Sequence, residues 1–365
     1  MHTEIYKFMA FSQTVIHDFS LLGKVFHEVS VDDSKDISYT GLSEFLREYI
    51  EKAYLYNSWF LTDFIKSAFS AWSKALQKEK IKHWIRGYET NMLIAPGSQT
   101  IGVIMAGNIP MVGLHDLLCI LASGNKALIK LSSSDDILIP AVLEVLCKIN
   151  PFYSDRFSFT EGPLKKFDAI IATGSNNSSR YFDYYFGKYP HIIRKNRNSA
   201  AVLTGDEKEE ELVKLADDML MFFGLGCRSV SKLYLPYNYD FERLTKPFSY
   251  YSYFFDHHKY RNNYDYQKSI LLINNIPHFD NGFILFKEDM SLISPISVIH
   301  YEYYKAPADL NIQMEELKEN LQCLVAADNR INSVIPFGTS QFPELWDYAD
   351  GIDTMEFLTK MRKNQ

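Results

Sequence analysis

The chain has 365 residues, enough for two or three domains with cores of their own. Hydrophobic residues make up 47% and charged residues 23%, an ordinary balance for a globular protein, while the aromatic share of 15% is high. A net charge of −7 argues against general nucleic-acid binding. No apolar stretch is long enough to cross a bilayer, and the N-terminus, with Glu4 and Lys7 and no apolar core, predicts no signal peptide. Cys119, Cys147, Cys227 and Cys323 stand far apart without a CxxC pair. That spacing suggests neither a zinc site nor a disulfide framework, and it suits a reducing cytoplasm.

Residues 1–88 read as helical, with apolar positions at helical spacing in 42–50 and 59–65. Near residue 90 the texture changes. Residues 91–95 and 99–105 read as strands joined across Pro96-Gly97-Ser98. Strand and helix then alternate: strand 102–106, helix 110–123, strand 127–131, helix 134–148, strand 167–172, helix 178–186, and strands 192–194 and 200–203. Such alternation predicts a mainly parallel sheet with helices on both faces, whose ligands lie at the carboxyl ends of the strands. Polar clusters fall at those ends: Gly107-Asn108, Lys130-Leu131-Ser132-Ser133 and Thr173-Gly174-Ser175. Neither GxGxxG nor GxxxxGK[ST] occurs, so a nucleotide would be held by other contacts.

A charged helix from Glu207 leads into Phe223-Gly224-Leu225-Gly226-Cys227-Arg228. The helical run is expected to end at Phe223, two glycines allow a tight loop, and a strand over 232–235 follows. A cysteine so placed beside an arginine is set for exposure and for stabilisation of its thiolate. An ordinary thiol, of pKa about 8.5, is only a few per cent ionised at neutral pH. The other reading is a structural cysteine in a loop. Residues 248–266 are dense in aromatics, which would line a core or an apolar substrate pocket. They include His257-His258. Read as a strand, that pair points to opposite faces with no acidic or cysteine ligands nearby, so no metal site is expected. Residues 269–274, 283–286 and 331–336 read as strands, 294–299 continues a second sheet, and 313–328 reads as a helix.

Together these motifs resemble the aldehyde dehydrogenase superfamily. Gly107-Asn108-Ile109-Pro110 is similar to its Asn, bulky residue and Pro before a helix. Gly124-Asn125-Lys126-Ala127-Leu128-Ile129-Lys130 is similar to its "GN, apolar strand, Lys", and Thr173-Gly174-Ser175 to its "TGS". Asn198-Ser199-Ala200 and then Gly224, Cys227 and Lys232 follow in the family's order. The short chain, with Val334-Ile335-Pro336-Phe337-Gly338 and Trp346-Asp347-Tyr348-Ala349-Asp350-Gly351, looks more like the acyl-CoA reductase branch, the luminescence-type fatty-acyl reductases.

The resemblance implies an α/β, aldehyde dehydrogenase-like fold with two Rossmann-like domains. A helical N-terminal segment and cofactor domain would span 1–203, a catalytic domain 204–336, and a C-terminal segment returning to the cofactor domain 337–365. It implies Cys227 as nucleophile, with the Asn108 amide and the Cys227 backbone N–H as oxyanion donors. Asn108 also reads as a helix N-cap. Lys130 would contact the adenosine ribose, Ser132 and Ser133 would line the cofactor site with Ser133 leaving room for a 2′-phosphate, and Gly174 and Ser175 would approach the pyrophosphate or nicotinamide end. The Ser132-Ser133-Ser134 run reads equally as a cap for the next helix. Arg194, Lys195 and Arg197 would meet phosphates or simply end a strand.

Hydrolytic relatives carry a general-base Glu at the position of Ile193, and no carboxylate stands between Asp183 and Asp206. His191, sharing a strand face with that position, would serve Cys227 as acid or base. The relatives' ribose-binding Glu falls near Ser291, where no residue replaces it. The implied activity is NADPH-dependent reduction of an acyl-CoA, or another acyl-thioester, to an aldehyde, with NADH as the other cofactor candidate. Its rivals are an aldehyde dehydrogenase and a non-reducing acyl-thioester binding protein. A homo-oligomer or a fatty-acid-activating enzyme is the implied protein partner.

Overall fold

The computed structural model describes residues 2–31, 39–88, 99–174, 176–327, 330–332 and 334–361. The chain forms two units, residues 1–195 with 342–365, and residues 196–341.

The first unit begins with four helices: α1 His2–Ser30, α2 Thr40–Tyr56, α3 Thr62–Ala75 and α4 Lys78–Arg86. Val15, Phe19, Leu22, Phe26 and Val29 recur at helical spacing on α1 and are all fully buried. Phe26 meets Phe69 of α3 edge-on, ring centres 4.9 Å apart. The strand expected over 91–95 lies outside the described residues.

A five-stranded parallel sheet follows, from β1 Thr100–Ile104, β2 Lys126–Lys130, β3 Phe157–Phe159, β4 Ala169–Thr173 and β5 His191–Arg194. Helices α5 Leu114–Ala122, α6 Leu138–Ile149 and α7 Asn176–Phe186 connect them. The strand order is β3-β2-β1-β4-β5, so connections leave β1 and β4 in opposite directions. The crevice between those two strands is the switch point at which such sheets take ligands. β1 and β4 are buried on both faces, which is why they read as unbroken apolar runs.

The helix expected over 110–123 starts only at Leu114, after Gly113. Met111 has φ +57°, which a right-handed helix cannot contain, so 110–113 is a turn. The next helix starts at Leu138 rather than at 134, and Ser132-Ser133-Ser134 does not cap it directly.

The second unit holds β6 Asn198–Val202, α8 Glu209–Leu220, β7 Val230–Pro236, α9 Glu242–Phe248, α10 His258–Ile273, β8 His278–Asp280, β9 Leu285–Glu288, β10 Val298–Tyr304, α11 Pro307–Leu317 and β11 Leu321–Ala326. Its sheet runs β11-β6-β7-β10-β9-β8, parallel except for the β8–β9 pair. Because β6 is hydrogen-bonded between β7 and β11, the boundary expected at 203 falls one strand late. The unit also extends past 336 to Gln341. Buried Asp218 on α8 accepts from the Gly338 N–H at 2.6 Å and the Ser340 N–H at 2.9 Å.

Three assignments in this half differ from the sequence reading. Residues 269–274 lie in or just beyond α10, whose buried Tyr260, Tyr264 and Leu271 keep helical spacing. The helix expected over 313–328 divides within its described residues 313–327, with α11 ending at Leu317 and a turn leading into β11. Among the described residues of 331–336, only Ile335 bridges to the sheet, opposite Val325.

The C-terminal segment packs in the first unit. Trp84 Nε1–H donates to the Tyr348 hydroxyl at 2.7 Å, and the Tyr88 hydroxyl to Asp353 at 2.6 Å. Helix α12, Thr354–Lys360, ends the described fold.

Candidate active site

Cys227 stands on the connection between α8 and β7. The helix ends at Leu220, three residues before the expected stop. Phe222, Phe223 and Gly224 then take φ values of +57°, +55° and +72°. A left-handed run is costly for side-chain-bearing residues, and burial of both phenylalanines holds it in place. Phe223 packs on Phe254, His257 and Tyr260, with ring centres at 4.3, 4.6 and 5.7 Å. The aromatic-rich stretch thus forms the packing behind the Cys227 turn. His257 is no part of a strand: its Nδ1 accepts from the Tyr260 N–H and caps α10.

The turn is closed by the Ser229 N–H donating to the Gly226 carbonyl at 3.0 Å, with Cys227 and Arg228 as its central residues. Two buried serines shape it. The Ser229 hydroxyl accepts from the Gly226 N–H and from Gln341 Nε2, both at 3.3 Å. The Ser199 hydroxyl on β6 donates to the Cys227 carbonyl at 2.9 Å and accepts from the Cys323 N–H at 3.2 Å. Cys227 is half-buried, and no disulfide joins the four cysteines. Burial pushes the other three thiols up, Cys323 to about 11. Neither Ser199 nor Ser229 stands out as a positioning group in the sequence. The role of Ser199 depends on β6 lying between β7 and β11, and that of Ser229 on the turn itself and on Gln341.

A cavity of about 160 Å³ opens beside the turn, lined by residues including Phe223, Gly226, Ser229, Ser231, Tyr260 and Ile296. Further along β7, Lys232 is fully buried and pairs with Glu302 at 3.2 Å. Burial lowers its pKa against the raising effect of that carboxylate. Lys232 also donates to the Asp289 carbonyl, Ser231 to the Leu292 carbonyl at 2.7 Å, and His300 Nδ1 to the Ser291 carbonyl at 3.0 Å. Side chains of the central strands therefore grip the backbone of 289–292. The Ser291 hydroxyl is closed on its own turn through both backbone groups of Ile293.

In the first unit, Asn108, Lys130 and Gly174 lie on the loops or strand ends at the carboxyl edge of β1, β2 and β4. Asn108 is exposed and lies six residues before α5, so it does not cap that helix. Among the described residues no acceptor pairs with the Lys130 ammonium. Ser132 presses on the loop carrying Asn108: a Cβ on Gly107 would lie 2.5 Å from the Ser132 hydroxyl. That hydroxyl also accepts from the Ser134 N–H at 3.2 Å, while Ser133 is exposed. A Cβ on Gly174 would lie 2.8 Å from Phe182 and 2.9 Å from Ser178, so close approach to α7 itself requires glycine there. Ser175 lies outside the described residues.

Two groups are placed elsewhere than the sequence suggests. His191 opens β5 opposite Ile170, at the amino edge of the sheet, while Arg194 reaches the carboxyl edge opposite Thr173. Three residues of strand, about 10 Å, separate His191 from that edge. It is exposed, and its Nδ1 donates to the Tyr189 carbonyl at 2.8 Å. Arg194 is buried and forms a two-pronged pair with Asp116, with Nη2 donating to Oδ1 at 2.8 Å and to Thr354 Oγ1 at 2.9 Å. It locks β5 to α5 and α12 and is not part of a phosphate patch. Arg197 donates to the carbonyls of Lys318 and Leu321, fastening the turn before β11. Ile193 packs in an apolar cluster with Ile170, Ala172, Phe182 and Phe186.

The two parallel-sheet units and the helix-to-strand cysteine turn define an aldehyde dehydrogenase-like fold. No family model matches the sequence, and no curated protein does. Solved structures match across nearly the whole chain. Aldehyde dehydrogenase 21 of Physcomitrella patens, in complex with the reaction product succinate, superposes with a TM-score of 0.61 at 12% identity, covering 98% of this chain and 87% of that one. An NAD-dependent aldehyde dehydrogenase of Sinorhizobium meliloti gives 0.58 at 10% identity, covering 92% and 78%. Indole-3-acetaldehyde dehydrogenase of P. syringae, in complex with NAD+ and IAA, gives 0.58 at 9%, covering 88% and 76%. Among the described residues no group of three His, Cys, Asp or Glu is placed to hold a metal, and no helix is long and apolar enough to cross a membrane.

Proposed function

We propose that the protein reduces an acyl-thioester, with acyl-CoA as the reference substrate, to an aldehyde through an acyl-cysteine on Cys227. The observation that carries this reading is the Cys227 turn, fixed by Ser199 and Ser229 at the head of β7. The apolar setting of Ile193 supports reduction over hydrolysis. A carboxylate base for water is commonly worth about a hundredfold to ten-thousandfold, and that position holds none.

The Cys227 thiolate attacks the thioester carbon, the CoA thiolate leaves with the electron pair of the broken C–S bond, and an acyl-cysteine forms. The carbonyl oxygen gains charge in this step. The Asn108 amide and the Cys227 N–H are its proposed donors, each worth about 3 kcal/mol. A nicotinamide cofactor, when bound, supplies a hydride to the acyl carbon. Cys227 then departs as thiolate as the aldehyde carbonyl forms. Lys130, without an acceptor among the described residues, and exposed Ser133 fit the ribose end of such a cofactor. Ser132 and Gly174 flank it, Ser175 remains a proposed contact, and Ser133 in place of a carboxylate favours NADPH while leaving NADH open. His191 has no role in this mechanism.

A second reading, oxidation of an aldehyde to an acid, is favoured by the chemistry named for the structural neighbours. Incubating the protein with acyl-labelled CoA thioester and then NADPH separates the readings. Aldehyde release supports reduction, and stable label without turnover supports a binding protein. Acid formed from an aldehyde and NAD(P)+ supports the dehydrogenase. Label retained on Cys227→Ala would remove the nucleophile from all of them.

A further inference from the structure

Buried Asp135 has no part in the chemistry above, yet it touches both loops that reading depends on. Its Oδ2 accepts from the Met111 N–H at 2.9 Å, and its Oδ1 from the Leu138 N–H at 3.3 Å. Met111 is fully buried at φ +57°, the strained centre of the turn that follows Asn108. The Asp135 N–H donates to the Ser132 carbonyl at 3.1 Å, pairing these residues across the Ser133-Ser134 tip. On the same surface Gly107 approaches so closely that a Cβ there would lie 2.7 Å from Ser132 Cβ and 3.1 Å from the Asp135 nitrogen.

A cap for α6 needs only the Leu138 contact. The second oxygen, spent on a backbone N–H across the sheet edge, is the unexplained part. An ionised carboxylate can accept at both oxygens, whereas an amide has one acceptor and would turn an N–H₂ towards one of the two donors.

We propose that Asp135 is a positioning residue, clamping the Asn108 loop to the Ser132–Ser133 loop so that the carboxyl edge of the first sheet is one rigid rim. The inference rests on the reading of those loops as the oxyanion and cofactor elements. Burial moves the carboxyl up to about 6, with Asp136 the charged neighbour pushing the same way, while Met111 and Leu138 offer it only N–H groups. The clamp is therefore complete above that pH and weakens below it.

The test uses the full chain as wild type, Asp135→Asn and Gly107→Ala, the last forcing the same contact from the opposite loop. Hydrogen exchange is read by peptide, and cofactor binding and turnover are read from pH 5 to 8. Asp135→Asn should raise exchange about ten- to a hundredfold in 107–113 and 132–138 together, leaving the centres of α5 and α6 protected. It should lower turnover by a similar factor and remove the decline that wild type shows below about pH 6. Gly107→Ala should reproduce both losses, and the double variant should cost clearly less than their product. Exchange confined to 132–138 would reduce Asp135 to a helix cap and overturn the clamp. Loosening of both segments with turnover and pH profile unchanged would overturn its positioning role. If wild type neither binds cofactor nor turns over, the functional reading fails, while exchange still decides the clamp.

Discussion

Arg194 and Asp116 show side chains only 6% and 7% exposed, so neither charge has water to fall back on. Removing one partner of such a pair typically costs about 3–5 kcal/mol. Asp116→Ala should lower the unfolding free energy by that amount in urea titration. Lys195→Ala, on an exposed residue next to Arg194, should stay within about 0.5 kcal/mol. Asp135 gives a pH-dependent counterpart. Its carboxyl is raised from 3.8 to about 6, so the folded state holds the proton more tightly than the unfolded chain. Its contribution is most favourable below pH 3.8 and is lost as pH rises towards 6, by about 3 kcal/mol in all. Asp135→Asn should flatten stability across that window. In wild type, stability and the turnover proposed to depend on the ionised clamp should therefore move in opposite directions between pH 4 and 6. Ser199→Ala removes the donor to the Cys227 carbonyl and the acceptor of the Cys323 N–H. It should cost about 1–3 kcal/mol and slow acylation, with Ser199→Thr recovering part of the rate.

The turn between α8 and β7 is the element whose shape matters most. It reverses through three consecutive left-handed residues, only the last of which is glycine. Gly224→Ala should cost about 1–2 kcal/mol from φ +72° alone, visible as a lower melting temperature. Gly174→Ala acts differently. Its φ is ordinary, but the added methyl meets Phe182 and Ser178, so α7 must shift from β4 at a cost of about 1–3 kcal/mol. Helix α10 shows why its C-terminal end read as a strand. Ile270 to Ile273 is an unbroken apolar run, and such a run has no period of its own. Only Leu271 of the four is buried, and Leu272 and Ile273 are 58% and 79% exposed.

Over the whole molecule, the first unit is discontinuous in sequence: its core is completed by residues 342–365. Tyr348 receives Trp84, Asp353 receives Tyr88, and Thr354 receives Arg194. Truncation after Gln341 should therefore weaken hydrogen-exchange protection in β1, β2, β4 and β5 while sparing β6, β7 and β10, whose packing lies within 196–341. What was legible in sequence follows from local rules. Alternating apolar strands and amphipathic helices specify a parallel α/β architecture, glycines mark the Cys227 turn, and the absence of a carboxylate near Ile193 needs no structure to see. His191 shares a strand face with Ile193 but opens the strand at its amino edge, because a shared face does not set the position along the strand. Arg194 read as a phosphate contact because its partner Asp116 is 78 residues away. The serines that fix Cys227 and the carboxylate that joins the Asn108 and Ser132 loops were likewise decided only by the tertiary structure. Their meaning lies in which strands become neighbours, and strand pairing is a property of the folded chain.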